Sequence, residues 1–135
     1  MEKLEHIGIA VKNLAEANER FARLLGVSHY KIEEVESEGV RTSFFKVGDV
    51  KIELLEATHE DSPIGKFVAK RGEGIHHLAF EVPDVANALR TAKSQGFEPI
   101  HDQPKPGADN KLIAFLHPRT TQGVLIELCQ EKKED

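Results

Sequence analysis

Leu4-Glu5-His6-Ile7-Gly8-Ile9-Ala10-Val11 and, 71 residues further on, Ile75-His76-His77-Leu78-Ala79-Phe80-Glu81-Val82 are two versions of one strand. Alternation puts Ile7, Ile9 and Val11 on one face and His6, Gly8 and Ala10 on the other; in the later copy Leu78, Phe80 and Val82 take the first face, with His77 and Ala79 opposite. Each strand thus has a large-apolar side and a small-residue side that carries one histidine. A helix start follows each: Asn13 and Asp84, again 71 apart, are N-cap residues. Glu16 completes a capping box with Asn13, and Leu14, Ala17, Phe21, Leu24 and Leu25 recur at helical spacing up to Gly26. Val85, Ala88, Leu89 and Ala92 do the same up to Gly96.

Strands are expected near 30–35, 40–47 and 50–57, divided by Ser37-Glu38-Gly39 and Gly48-Asp49 turns, and in the second half near 98–101, 111–117 and 123–129. Ser62 caps and Pro63 opens a short linking helix over 64–71, which Gly72-Glu73-Gly74 ends. The final strands match as well, Ile52-Glu53-Leu54 over Ile126-Glu127-Leu128, but at an offset of 74. Three residues are therefore added in the second copy, and the Pro104-Lys105-Pro106-Gly107 loop is where this reading puts them. The sequence predicts an α+β fold: one domain over residues 1–135, built from two βαβββ repeats at about 1–60 and 74–131 and joined by the helical linker.

With 135 residues, 39% of them apolar, the chain is long enough for one real core. Lys and Arg number 18 against 23 Asp and Glu, a net charge of −5, and the missing basic stripe argues against nucleic acid as a partner. No apolar run is long enough to span a membrane, and the charged start Met1-Glu2-Lys3-Leu4-Glu5 argues against a signal peptide. Glu131-Lys132-Lys133-Glu134-Asp135 reads as a solvated tail. A single cysteine, Cys129, forms no internal disulfide and no thiolate zinc site, which fits a cytoplasmic protein whose metal ligands are histidines and carboxylates.

His6 and His77 on the first strands, and Glu53 and Glu127 on the last, occupy equivalent places in the two copies. Each histidine has small neighbours on its face, which leaves room for a cavity. The glutamates sit between Ile52 and Leu54 and between Ile126 and Leu128, residues that face the other way. A carboxylate pointing into a sheet-lined cavity is costly unless paired, and a divalent metal is a natural partner. If the repeats pack about a pseudo-twofold axis, His6, Glu53, His77 and Glu127 converge as one mixed nitrogen and oxygen set suited to Co, Ni, Mn, Fe or Zn. His76 falls with Leu78 and Phe80 and reads as a partly buried structural residue. His29, His59 and His101 read as exposed, and Cys129 as an inert filler with no cation or helix terminus to activate it. No nucleophile elbow, phosphate loop or dinucleotide fingerprint is present.

The two halves resemble, over the whole chain, the vicinal oxygen chelate superfamily, and the resemblance implies two βαβββ modules paired into a cupped mixed sheet around one divalent metal. Within it the sequence is similar to the methylmalonyl-CoA epimerases through His6-Ile7-Gly8-Ile9-Ala10-Val11, Lys51-Ile52-Glu53-Leu54-Leu55-Glu56, Asp61-Ser62-Pro63-Ile64, Gly74-Ile75-His76-His77-Leu78-Ala79, Phe115-Leu116-His117-Pro118 and Gly123-Val124-Leu125-Ile126-Glu127-Leu128. The resemblance implies metal ligation by His6, Glu53, His77 and Glu127, with Glu127 also the catalytic base, and Gln standing at the Glu53 place in some epimerases. The expected cofactor is one divalent ion, Co2+ before Ni2+, Mn2+, Zn2+ or Mg2+. The expected partners are a CoA thioester substrate and a second copy in a homodimer. The implied reaction removes the C2 proton of methylmalonyl-CoA, forms an enolate, and returns a proton from the opposite side.

Inversion requires two acid/base groups. The family's second carboxylate falls on Thr42 in this chain, a departure that leaves Glu38, Glu34, a bound water or a shifted register open for the role. Lys105, Lys111 and Arg119 in loops, and Lys66, Lys70 and Arg71 on the linker helix, read as solvated charges. Two other readings share the frame. A metal-dependent lactoylglutathione lyase (glyoxalase I) uses the same ligand set, but typically has Arg where this chain has Ile9 and an Asp-Pro-Asp-Gly turn where it has His117-Pro118-Arg119-Thr120-Thr121-Gln122-Gly123. A metal-free, resistance-type binding protein has no reason to keep four ligands.

Overall fold

The computed structural model describes residues 1–132; Lys133, Glu134 and Asp135 of the charged tail lie outside the described residues. Its elements run β1 (Lys3–Ala10), α1 (Leu14–Leu25), β2 (Lys31–Val35), β3 (Val40–Val47), β4 (Val50–Ala57), α2 (Pro63–Arg71), β5 (Gly74–Glu81), α3 (Val85–Ser94), β6 (Lys105–Pro106), β7 (Lys111–Leu116) and β8 (Ile126–Glu131). The order is βαβββ, a helix, then βαβββ again, an α+β arrangement. Two compact units result, one of residues His6–His76 and one of Met1–Glu5 with the chain from His77 onward.

The helix ends follow from the capping chemistry. Glu16 donates its backbone N–H to Asn13 Oδ1 at 2.9 Å, and Asn87 donates to Asp84 Oδ1 at 3.0 Å. Gly26 stops α1 in the left-handed region at φ 73°, and Ser62 Oγ accepts from Gly65 N–H at 3.1 Å where Pro63 opens α2.

In the unit His6–His76 the strand order is β2-β3-β4-β1, with β1 and β4 parallel and the other pairs antiparallel. α1 covers one face, where Leu14, Ala17, Phe21, Ala22 and Leu25 pack with Val11, Phe45 and Leu54. Leu24 does not join them. It is 75% exposed at the edge of the stripe, and Ala22 faces the core instead. α2 covers one end of the opposite face, placing Ile64, Phe67 and Val68 over Ala10, Val40 and Leu55.

The other unit has the order β5-β8-β7-β6, again with its first strand parallel to its last. Val85 and Leu89 of α3 bury Val82, Ala114, Leu116 and Leu128. Here three expectations are corrected. Residues 98–101 form no strand: only Pro99 bridges, to Leu116, and the edge is the two-residue β6, kept short by Pro104 and Pro106, which have no N–H to donate. The added residues lie elsewhere than the proline loop. Glu53 stands opposite Phe44, nine residues before it, whereas Glu127 stands opposite Phe115, twelve residues before it. The extra length is therefore in the β7–β8 connection, where Pro118–Thr120 forms a 3₁₀ turn and Gln122 and Gly123 turn left-handed at φ 55° and 87°. That turn also delays the last strand to Ile126 from the expected 123.

Candidate functional site

Four sequence-predicted ligands are among the few buried charged or imidazole side chains: His6 and His77 are 4% and 5% exposed, Glu53 and Glu127 4% and 5%. In the unit His6–His76, Glu53 pairs directly with Gly8, on the same face as His6 two residues earlier. Gly8 has no side chain to fill the space, and Glu53 Oε2 comes to 3.0 Å from His6 Nδ1. In the other unit Glu127 pairs with Ala79, equally small, and Oε1 lies 3.4 Å from His77 Nε2. The small residues that share a face with each histidine are thus what lets the carboxylate reach it.

Each of these side chains offers one donor atom of a kind that divalent ions take. Two ligands about 2.1 Å from one ion and at right angles to each other are about 3.0 Å apart, so both His–Glu separations suit neighbouring positions around a metal. The chemistry of the donor set agrees. Taking a carboxylate out of water is costly, and a bound cation offsets that cost.

Strand register shows what else shares these faces. Phe44 lies directly opposite Glu53, and Lys31 opposite Phe44, with its Nζ 4.6 Å from the ring centroid. The other unit repeats this: Phe115 lies opposite Glu127, edge-on to His77 at 5.8 Å, with Lys105 Nζ 6.0 Å from its ring. The next row along the first face is Glu33, Thr42 and Leu55, mutually opposed across three strands. Thr42 is 1% exposed. Glu34 is excluded from this face. It lies opposite Arg41 and pairs with it at 3.3 Å on the other side of the sheet, while Glu38 ends the short 3₁₀ turn before Gly39.

His76 is half-buried, edge-on to Phe67 at 4.9 Å, and burial lowers its pKa to about 4. His59 and His101 are exposed as expected, but His29 is half-buried against the ring of Phe45. Cys129 is buried with Ala79, Ile113 and Phe115; burial first, then the carboxylates of Glu127 and Glu5, push its thiol pKa up, which keeps it an inert filler. Lys111 is corrected from a solvated loop position to a buried one at the start of β7, ion-paired with Glu131. Arg119 is exposed and donates from Nε to Glu98 at 2.8 Å.

Three features escaped the sequence reading: Glu5, buried at 4%; the phenylalanines opposite Glu53 and Glu127; and Glu33 facing Thr42. Only the Phe44–Phe115 spacing of 71, shared with the histidines, signalled any of them in the sequence.

Residues 5–115 match the family model of the Glyoxalase/Bleomycin resistance protein/Dioxygenase superfamily. The chain is 41% identical to the protein YqjC of Bacillus subtilis (strain 168) over 98% of its own length and 94% of that protein's. It is 36% identical to the ethylmalonyl-CoA/methylmalonyl-CoA epimerase of Cereibacter sphaeroides, covering 95% and 97% of the two chains. Among solved structures it is similar to a Streptomyces coelicolor methylmalonyl-CoA epimerase in complex with 2-nitronate-propionyl-CoA, with TM-score 0.94, 35% identity, and coverage of 100% of this chain and 98% of that one.

Proposed function

The chain belongs to the Glyoxalase/Bleomycin resistance protein/Dioxygenase superfamily, and from that premise we propose that it is an epimerase interconverting the 2R and 2S forms of methylmalonyl-CoA. The observation that carries the reading is the pair of buried His–Glu contacts, 3.0 and 3.4 Å, in a chain with near full-length similarity to epimerases that act on CoA thioesters. We take residues 1–135 to act as one domain, with His6, Glu53, His77 and Glu127 as the ligands of a single divalent ion, Co2+ favoured.

The C2 proton of the substrate lies between a thioester carbonyl and a carboxylate, and its removal leaves an enolate whose charge needs stabilising. A bound divalent ion supplies positive charge for the oxygen on which that charge develops. Glu127 takes the proton: a carboxylate can accept it, and burial beside His77 aligns it. His6, His77 and Glu53 position and bind. The small residues Gly8 and Ala79 leave room beside the histidines, and Phe44 and Phe115 stand opposite Glu53 and Glu127. No helix among the described residues is long and apolar enough to cross a membrane. The single cysteine supports a cytoplasmic setting, and we take the assembly to be a homodimer.

The test compares two substrates on Co2+-loaded protein. Methylmalonyl-CoA should lose its C2 stereochemistry, with little turnover of the hemithioacetal of methylglyoxal and glutathione. The opposite ranking would make the protein a lactoylglutathione lyase, and tight binding of either compound without turnover would make it a resistance-type binding protein.

A further inference from the structure

Inversion at C2 takes a proton from one face of a planar enolate and returns one to the other, so a single carboxylate cannot do both without turning the substrate over. Glu127 accounts for one face. Thr42, a fully buried hydroxyl, is too weak a base for the other. The carboxylates of the three-strand ladder β2–β4 are Glu33, Glu34, Glu53 and Glu56, and their register sorts them. Glu34 and Glu56 both stand against Arg41 on the far side, at 3.3 and 3.9 Å. Glu53 stands on the near side against His6. Glu33 shares that near side, one row along, directly opposite Thr42.

We infer that Glu33 is the second proton-transfer group, supplied across the strand pair from the position that Thr42 leaves without a carboxylate. Its side chain is 35% exposed, so it exchanges protons with water. Lys31 Nζ sits 3.6 Å from Glu33 and 4.6 Å from the centroid of Phe44, which anchors the acid to the same row of side chains that backs Glu53. In the other unit the corresponding place, across from Ile113, is held by Lys105, so the carboxylate occurs in one copy only.

In one direction Glu127 accepts the C2 proton as the C–H electron pair moves onto the thioester oxygen. Protonated Glu33 then gives its proton to the other face of C2 as that pair returns. The two carboxyl groups exchange protonation states, and solvent restores them. The reverse direction begins at Glu33.

This inference rests on the epimerase reading, and its test separates the two. Each pure epimer is incubated in D2O with Co2+-loaded protein, and loss of the C2 proton and formation of the other epimer are followed by NMR. Glu33→Gln should slow interconversion by about 100-fold or more. One epimer should still exchange its C2 proton at close to the wild-type rate, while exchange of the other falls with interconversion. Co2+ stoichiometry and unfolding midpoint should match wild type, and Glu34→Gln, on the far side, should change nothing. The inference is overturned if Glu33→Gln interconverts the epimers normally, if it loses both exchanges equally, or if Glu38→Gln gives the one-sided pattern instead. Wild-type protein that neither exchanges nor interconverts would overturn the epimerase reading and this inference with it.

Discussion

The two βαβββ copies agree where they would hold a metal and differ one row away. Each has a histidine on its first strand, a glutamate within 3.0 to 3.4 Å of it, a phenylalanine opposite that glutamate and a lysine over the ring. Beside this shared row the first copy has Glu33 facing Thr42, and the second has Lys105 facing Ile113. Duplication supplies paired histidines and glutamates, and divergence one row along supplies groups of different sign.

The strongest way to break the comparison is through the shared row. His6→Ala and His77→Ala should each weaken Co2+ binding by more than about 100-fold, since losing even an outer partner of a ligand commonly costs 10–100-fold. Competition with a chelator of known affinity measures it. If the double variant keeps full Co2+ occupancy, the two contacts are ordinary hydrogen-bonded pairs and the equivalence of the copies is only structural.

A second experiment separates residues that the repeat makes equivalent. Glu53→Gln keeps an oxygen donor and should retain a measurable epimerisation rate with metal bound. Glu127→Gln keeps the donor too, but an amide cannot accept the proton, so exchange at C2 should fall by about 10²- to 10⁴-fold with Co2+ still bound. Near-normal exchange in Glu127→Gln would reduce Glu127 to a ligand like its counterpart.

Leu54 and Leu128 are the inert side of the same symmetry, each fully buried and each next to a buried glutamate, Glu53 or Glu127, on the opposite face. Leu54→Ala and Leu128→Ala should each lower stability by about 2–5 kcal/mol in urea unfolding. A much smaller loss for one would show that its helix-covered core tolerates a cavity the other does not. These leucines also show what the sequence made legible. Alternation within one strand separates Leu54 from Glu53, and a cap residue marks its own helix, so the repeat, the caps and the two buried His–Glu pairs need only local reading. Glu33 against Thr42, the two-residue β6 and the burial of Lys111 depend on which residue of another strand lies opposite. The Pro104–Gly107 assignment failed for the same reason: an offset shows that residues were added, but only the Phe115–Glu127 register shows that they were added after β7.

The smallest expected effect lies just before His6 and His77, where the copies differ: Glu5 in the first, His76 in the second. Burial against Phe67 holds His76 neutral down to about pH 4, compared with an ordinary value near 6.5. Above that ordinary value it is neutral whether the protein is folded or not, and it contributes no pH dependence. As the pH falls from about 6.5 towards 4, the unfolded chain takes up a proton that the folded chain refuses, so stability is lost across that window. At about pH 5.5 the loss from this one group is about 1 kcal/mol. His76→Gln cannot titrate there, so metal-free variant protein should lose about that much less stability than metal-free wild type between about pH 7 and 5.5, measured by urea unfolding. Parallel losses in the two proteins would mean that His76 takes up its proton in the folded state, and that the contact with Phe67 leaves room for water to reach the ring.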